Sequence, residues 1–125
     1  MSAAMPQGAE RRRHERVDLM AQVRVKRGRI DTLTELVNLS ESGALIDWGS
    51  LKVPSWVAIG REVEVHIIHP ATLSSIELKA KVVRVAQDDT TTRFAVEFEK
   101  LDAFLRYALA DLLQLAKEET AAVVQ

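Results

Sequence analysis

From Val17 to Phe98 the chain alternates apolar and polar residues with a period of two. Val23 and Val25 alternate with Arg24 and Lys26, and Val63, Val65 and Ile67 with Glu62, Glu64 and His66. Leu78, Ala80 and Val82 alternate with Lys79 and Lys81, and Phe94, Val96 and Phe98 with Ala95 and Glu97. Successive side chains of a strand point to opposite faces, so this pattern predicts antiparallel strands with one face packed and one solvated. The alternation slips at Val82-Val83-Arg84-Val85, which predicts a β-bulge that helps the sheet curl towards closure. Gly28, Ser42-Gly43, Gly49-Ser50, Gly60, His69-Pro70 and Asp88-Asp89 punctuate the runs as turns. About six short strands at this spacing predict a barrel or a sandwich. Residues 51–59 are less regular, and Trp56, Val57 and Ile59 are expected to cover one end of the core.

After Lys100 the period becomes helical. Leu101, Leu105, Leu109, Leu112 and Leu113 form an apolar stripe with Tyr107 and Ala108 beside it, while Asp102 and Asp111 lie on the polar side. One amphipathic helix over about 101–118 is predicted, docked on the strands. Residues 1–9 are small and polar and read as a disordered tail; 119–125 read as a C-terminal tail, leaving one domain over 10–118. The run Arg11-Arg12-Arg13-His14-Glu15-Arg16 is too short and too polar to hold a helix alone, and reads as a mobile arm entering the first strand.

Composition narrows the function classes. In 125 residues, 47% are hydrophobic and 28% charged, as in an ordinary soluble domain. The formal net charge of −1 provides no global field for DNA or an anionic membrane, so any anion site must come from local clustering. There is no cysteine, hence no disulfide, thiol nucleophile or thiolate metal site. No apolar run is long enough to span a bilayer and the first residues lack the apolar core of a signal peptide, so a cytoplasmic location without membrane insertion is expected. His14, His66 and His69 lack the spacing and supporting ligands of a metal set. No nucleophile–base pair, phosphate-binding glycine loop or convergent carboxylate set points to an enzyme.

Two constellations carry candidate chemistry. Asn38 and Ser40 lie two residues apart near the end of a strand, so an extended backbone projects both from one face, with Gly43 at the turn that follows. Two readings stand: a polar corner bonded to its own backbone, or an amide and a hydroxyl presented to a ligand, with Gly43 taking positive φ or admitting the ligand closely. The second constellation is Arg12-x-x-x-Arg16 with Arg11 ahead of it. Guanidinium groups meet phosphate oxygens or the O6/N7 edge of guanine in bidentate fashion. A solvated basic tail is the plain alternative.

Taken together, Arg11-Arg12-x-x-x-Arg16 followed by Asn38-x-Ser40-x-x-Gly43 resembles the PilZ family, whose pattern is RRxxxR and then (D/N)xSxxG. The resemblance covers roughly residues 10–116. It implies a mainly all-β fold, a six-stranded antiparallel β-barrel with one C-terminal α-helix, and a non-enzymatic receptor for cyclic di-GMP with no cofactor. It assigns Arg12 and Arg16 to phosphates and the Hoogsteen edges of the guanines, Asn38 and Ser40 to guanine or phosphate-ribose, and Gly43 to ligand clearance. Arg11 takes the position that reaches a second, stacked nucleotide, so one ligand or an intercalated pair is open, with a lean to the pair. Arg13 and Arg84 are secondary candidates, although Arg84 reads more simply as a solvated strand residue. Asn38 stands where many family members have Asp and lacks that charge; Glu15 adds a negative charge within the arm. The signal is expected to leave through contact with an effector protein, in motility, secretion or polysaccharide machinery. A PilZ-like interaction module that ignores the nucleotide is the first alternative. A nucleic-acid-binding barrel is disfavoured by aromatic residues at only 5%.

Overall fold

The computed structural model describes residues 17–69 and 75–124. Six strands form a closed antiparallel barrel: β1 (Val17–Arg27), β2 (Ile30–Leu39), β3 (Gly43–Asp47), β4 (Glu62–Ile68), β5 (Ser75–Gln87) and β6 (Thr92–Phe98). The strand order around the barrel is β1-β2-β3-β6-β5-β4, with β4 pairing back onto β1. Closure leaves no free sheet edge, which removes the commonest route to strand-mediated aggregation.

The alternation predicted from the sequence becomes an inside and an outside. Val23, Val25, Ile46, Val65, Ile67, Leu78, Ala80, Val82 and Phe94 are buried, while Arg24, Glu64, Lys79, Lys81 and Arg93 face solvent. The expected bulge is present, because the β5–β6 register shifts between Val82 and Arg84. Two further shifts occur where the sequence carries no clear slip, at Asp18/Ala21 between β1 and β2 and at Leu36/Asn38 between β2 and β3. Each inserts extra chain on one strand and increases local twist, which a six-stranded sheet needs in order to close.

One helix, α1 (Ala103–Val124), follows the barrel. Asp102 precedes it as the N-cap, its carboxylate accepting the Leu105 N–H at 2.8 Å, so it caps the helix instead of lining a polar face. Leu109, Leu112, Leu113 and Ala116 recur at helical spacing and are buried in the common core. Each such leucine contributes about 1.5–3 kcal/mol of transfer free energy. Three sequence expectations need correction. The helix continues to Val124, past its expected end near 118; no glycine or proline lies between Glu118 and Val124 to stop it. Tyr107 is 75% exposed and lies not beside the stripe but on the helix face opposite the buried Leu109, Leu112, Leu113 and Ala116. Ile59 is 69% exposed, and from residues 51–59 it is Trp56 and Val57, with Val53 partly buried, that pack against the core. Trp48 is half-buried and meets Trp56 edge to face at 5.8 Å between ring centres, a packing role for both indoles.

A polar clasp joins the end of β3 to the β5–β6 turn. Asp47 accepts hydrogen bonds from the Thr91 hydroxyl, from the Gly49 N–H at 2.8 Å and from Arg93 Nε at 3.3 Å. Burial pushes the Asp47 carboxyl upward, but these bonds and the Arg93 charge outweigh it and hold the group below its ordinary value of 3.8. A carboxyl with a depressed folded-state pKa stabilises the fold above its unfolded value and loses that contribution as pH falls through the folded value. Asp47→Asn is therefore expected to cost about 1–2 kcal/mol at neutral pH. In urea titrations the gap between the two proteins should narrow below pH 3.8. A gap that persists unchanged in acid would mean the clasp does not depend on the carboxylate charge.

Candidate functional site

The β2–β3 corner opens into a hollow of about 100 Å³ on the outer wall of the barrel. Asn38, Ser40 and Gly43 line it, so the structure brings the three described motif residues together. The shift between Leu36 and Asn38 is what aims them. Strict alternation from buried Leu36 would turn Asn38 inward; after the shift Leu39 is buried instead and Asn38 faces the hollow.

The three residues differ in what they offer. Ser40 is bonded within its own turn: its Oγ accepts the N–H groups of Ser42 and Gly43, each at 3.2 Å, and lies 3.3 Å from the Gly43 carbonyl and 3.2 Å from Ser42 Oγ. The polar-corner reading therefore holds for this hydroxyl, which orders the turn. Asn38 is half-buried, and among the described residues its carboxamide finds no hydrogen-bond partner. An amide lining a hollow with unused donors and acceptors is available to a ligand.

Gly43 is explained by neither positive φ nor ligand clearance alone. It has no left-handed backbone, unlike Gly28 at φ 62° in the β1–β2 turn. A Cβ built on it would stand 2.2 Å from the Val96 carbonyl oxygen of β6. The close approach that excludes a side chain is made by the protein's own neighbouring strand. The same pairing is anchored by the Phe98 N–H, which donates to the Ser42 carbonyl at 2.8 Å.

Six further lining residues escape sequence reasoning: Ala44 and Leu45 on β3, Val83 on β5, and Ala95, Val96 and Glu97 on β6. The register places Leu45 across from both Asn38 and Ala95, and Gly43 across from Glu97. Val83, 43% exposed, stands at the bulge and makes an apolar shelf with Leu45 and Ala95. The doubled valine was its one signal. Glu97 had none, because an outward charge on an alternating strand is unremarkable. Arg84 is exposed on β5 opposite Ala95, next to the hollow but not in its lining. Arg11, Arg12, Arg13 and Arg16 lie outside the described residues, as does Glu15. The strand they lead into is described: β1 starts with Val17 paired to Leu39 and Asp18 paired to Asn38.

A second hollow, of about 360 Å³, lies between β4, β5 and the start of α1. It is larger, but no motif residue lines it; within it Glu77 stands 3.8 Å from Lys26 and 3.6 Å from His66. Among the described residues no cluster of His, Cys, Asp or Glu is arranged to hold a metal ion, and no helix is long and apolar enough to cross a membrane.

The model of the PilZ domain matches residues 10–115. Among solved structures, the PilZ domain of YcgR from Escherichia coli with c-di-GMP superposes with a TM-score of 0.80 at 16% identity, covering 91% of this chain and 97% of that one. The Bacillus subtilis inhibitor of motility MotI/DgrA gives 0.68 at 22% identity, covering 90% of this chain and 52% of that one. The MrkH–c-di-GMP complex of K. pneumonia gives 0.72 at 14% identity, with 90% and 55% covered. The chain thus spans about half the length of MotI and MrkH. At these identities the likeness is one of fold. Among curated proteins none matches the sequence significantly.

Proposed function

The chain belongs to the PilZ domain family, and from that membership we propose that it is a receptor for cyclic di-GMP, a binding module and not an enzyme. The observation that carries the reading is the pairing of β1 with β2. Val17 sits across from Leu39 and Asp18 across from Asn38, so the described chain begins on the strand beside Asn38. Consecutive Cα atoms are about 3.8 Å apart, and Arg12 can stand no farther than about 18 Å from Val17. That reach is compatible with both motifs meeting at one ligand. The hollow, at about 100 Å³, is too small to hold a cyclic dinucleotide. Sites that enclose a drug-sized ligand run to roughly 300–1,000 Å³. The barrel offers a seat for one base, and the rest of the grip falls to the arm.

In this reading Arg12 and Arg16 bind phosphates and guanine Hoogsteen edges, Arg11 reaches a stacked second nucleotide, and Arg13 and Arg84 add cationic charge at the rim. Asn38 offers its carboxamide, which has no hydrogen-bond partner among the described residues. Ser40 keeps the turn in shape, and Gly43 lets β3 and β6 close against each other beneath the ligand. Ordering the arm costs about 1–2 kcal/mol per residue of backbone entropy. Charge-assisted hydrogen bonds of about 1.5–3 kcal/mol each offset it. Arm, ligand and barrel together make a surface that an effector protein reads. YcgR and MrkH were solved with c-di-GMP, and MotI is an inhibitor of motility, which favours motility machinery for that partner.

Calorimetry with cyclic di-GMP tests the reading. Micromolar or tighter binding is expected, weakened roughly 10- to 100-fold by Arg12→Ala or Arg16→Ala, as befits the loss of one charge-assisted contact set. The self-bonded Ser40 and the uncharged Asn38 favour one alternative, an interaction module that ignores the nucleotide. No heat at high ligand concentration selects that alternative.

A further inference from the structure

We infer that Glu97 reads the Watson–Crick edge of guanine in the β2–β3 hollow and selects guanine over adenine; the inference rests on the receptor reading above. Glu97 lines the same hollow as Asn38, yet it comes from β6, more than fifty residues away in sequence. Its backbone is fixed there by the pairing of Gly43 with Glu97 and by the Phe98 N–H bonded to the Ser42 carbonyl at 2.8 Å. The absence of a side chain on Gly43 lets the β6 backbone at Val96 and Glu97 pack close against β3, which holds Glu97 at the hollow.

The chemistry matches one base. Guanine presents N1–H and the N2 amino group side by side, two donors that a carboxylate accepts in bidentate fashion. Adenine presents a lone pair at N1, which a carboxylate repels. Asn38, with one carbonyl and no charge, makes the weaker acceptor. Glu97 is exposed, and among the described residues it makes no ion pair, not even with Lys81 across the ladder. Its acceptor capacity is therefore free. The Val83, Leu45 and Ala95 shelf gives the base a flat apolar floor from which its edge faces Glu97. Like-charge repulsion keeps the phosphates away from Glu97.

The test is a chemical double-mutant cycle on the full chain. Cyclic di-GMP and cyclic di-inosine monophosphate, which lacks the 2-amino group, are titrated into wild type and Glu97→Gln. The expected results are a loss of roughly tenfold or more for cyclic di-GMP on Glu97→Gln and a preference for cyclic di-GMP over the inosine analogue that shrinks towards unity in the variant. An unchanged thermal midpoint for this exposed substitution keeps the comparison clean. If Glu97→Gln binds cyclic di-GMP as tightly or more tightly, or keeps the full preference over the inosine analogue, this inference is overturned and the receptor reading survives. A wild type that binds no cyclic di-GMP removes both.

Discussion

Gly43→Ala is expected to destabilise the barrel by about 3 kcal/mol or more, the upper range for overpacking, because the new methyl meets backbone and not a yielding side chain. The added Cβ would lie 2.2 Å from the Val96 carbonyl and 3.4 Å from the Glu97 Cα. Neither atom moves without separating β3 from β6, and β3 has only five residues with which to hold that seam. A domain of this size has about 5–15 kcal/mol in total, so the urea midpoint should fall markedly. The hollow depends on the same seam, since Ala44, Leu45, Ala95 and Glu97 line it from the two strands. Ligand binding should therefore be lost even at temperatures where the variant remains folded. If stability is unchanged while binding is lost, Gly43 serves the ligand and not the strand pair; if neither changes, the close packing described here is wrong.

Phe94→Ala should cost about 3–5 kcal/mol, the usual range for emptying a buried phenylalanine site. Phe94 is fully buried on β6, lies across from Ile46 on β3 and Val85 on β5, and packs at a tilt against Trp48 with ring centres 6.1 Å apart. The barrel is closed, so neighbouring strands cannot slide inward to fill the void without disturbing two ladders at once. Phe94→Leu keeps more of the volume and should recover much of the loss. Chemical denaturation of the three proteins checks both statements, and equal stability of the alanine and leucine variants would contradict them.

Much of the architecture was legible as local pattern. The period-two runs marked the strands, the doubled valine at 82–83 marked a bulge that the β5–β6 register contains, and the leucine stripe marked the helix. These signals are short-range: a residue's face follows from its immediate neighbours. The helix boundaries were less legible. Asp102 looks like any polar helix residue until its carboxylate is seen on the Leu105 N–H, and a chain free of glycine and proline beyond Glu118 carries no stop signal to read.

The site divides in the same way. Asn38, Ser40 and Gly43 were visible because their spacing is itself the signal, and the structure then separates their roles into an amide without a partner among the described residues, a turn-bonded hydroxyl and a strand-packing glycine. Leu45, Val83, Ala95 and Glu97 join them only because barrel closure lays β6 beside β3 and the bulge brings Val83 over Ala95.

Sequence by itself determined the period of each element, the presence of an arginine-rich arm and the polar corner it precedes, since all of these are written in residues near one another in the chain. Tertiary structure alone decided which strands became neighbours, why position 43 excludes a side chain, and which residues complete the hollow. Strand order is settled by burial summed over the whole barrel, and no local stretch of chain contains that sum.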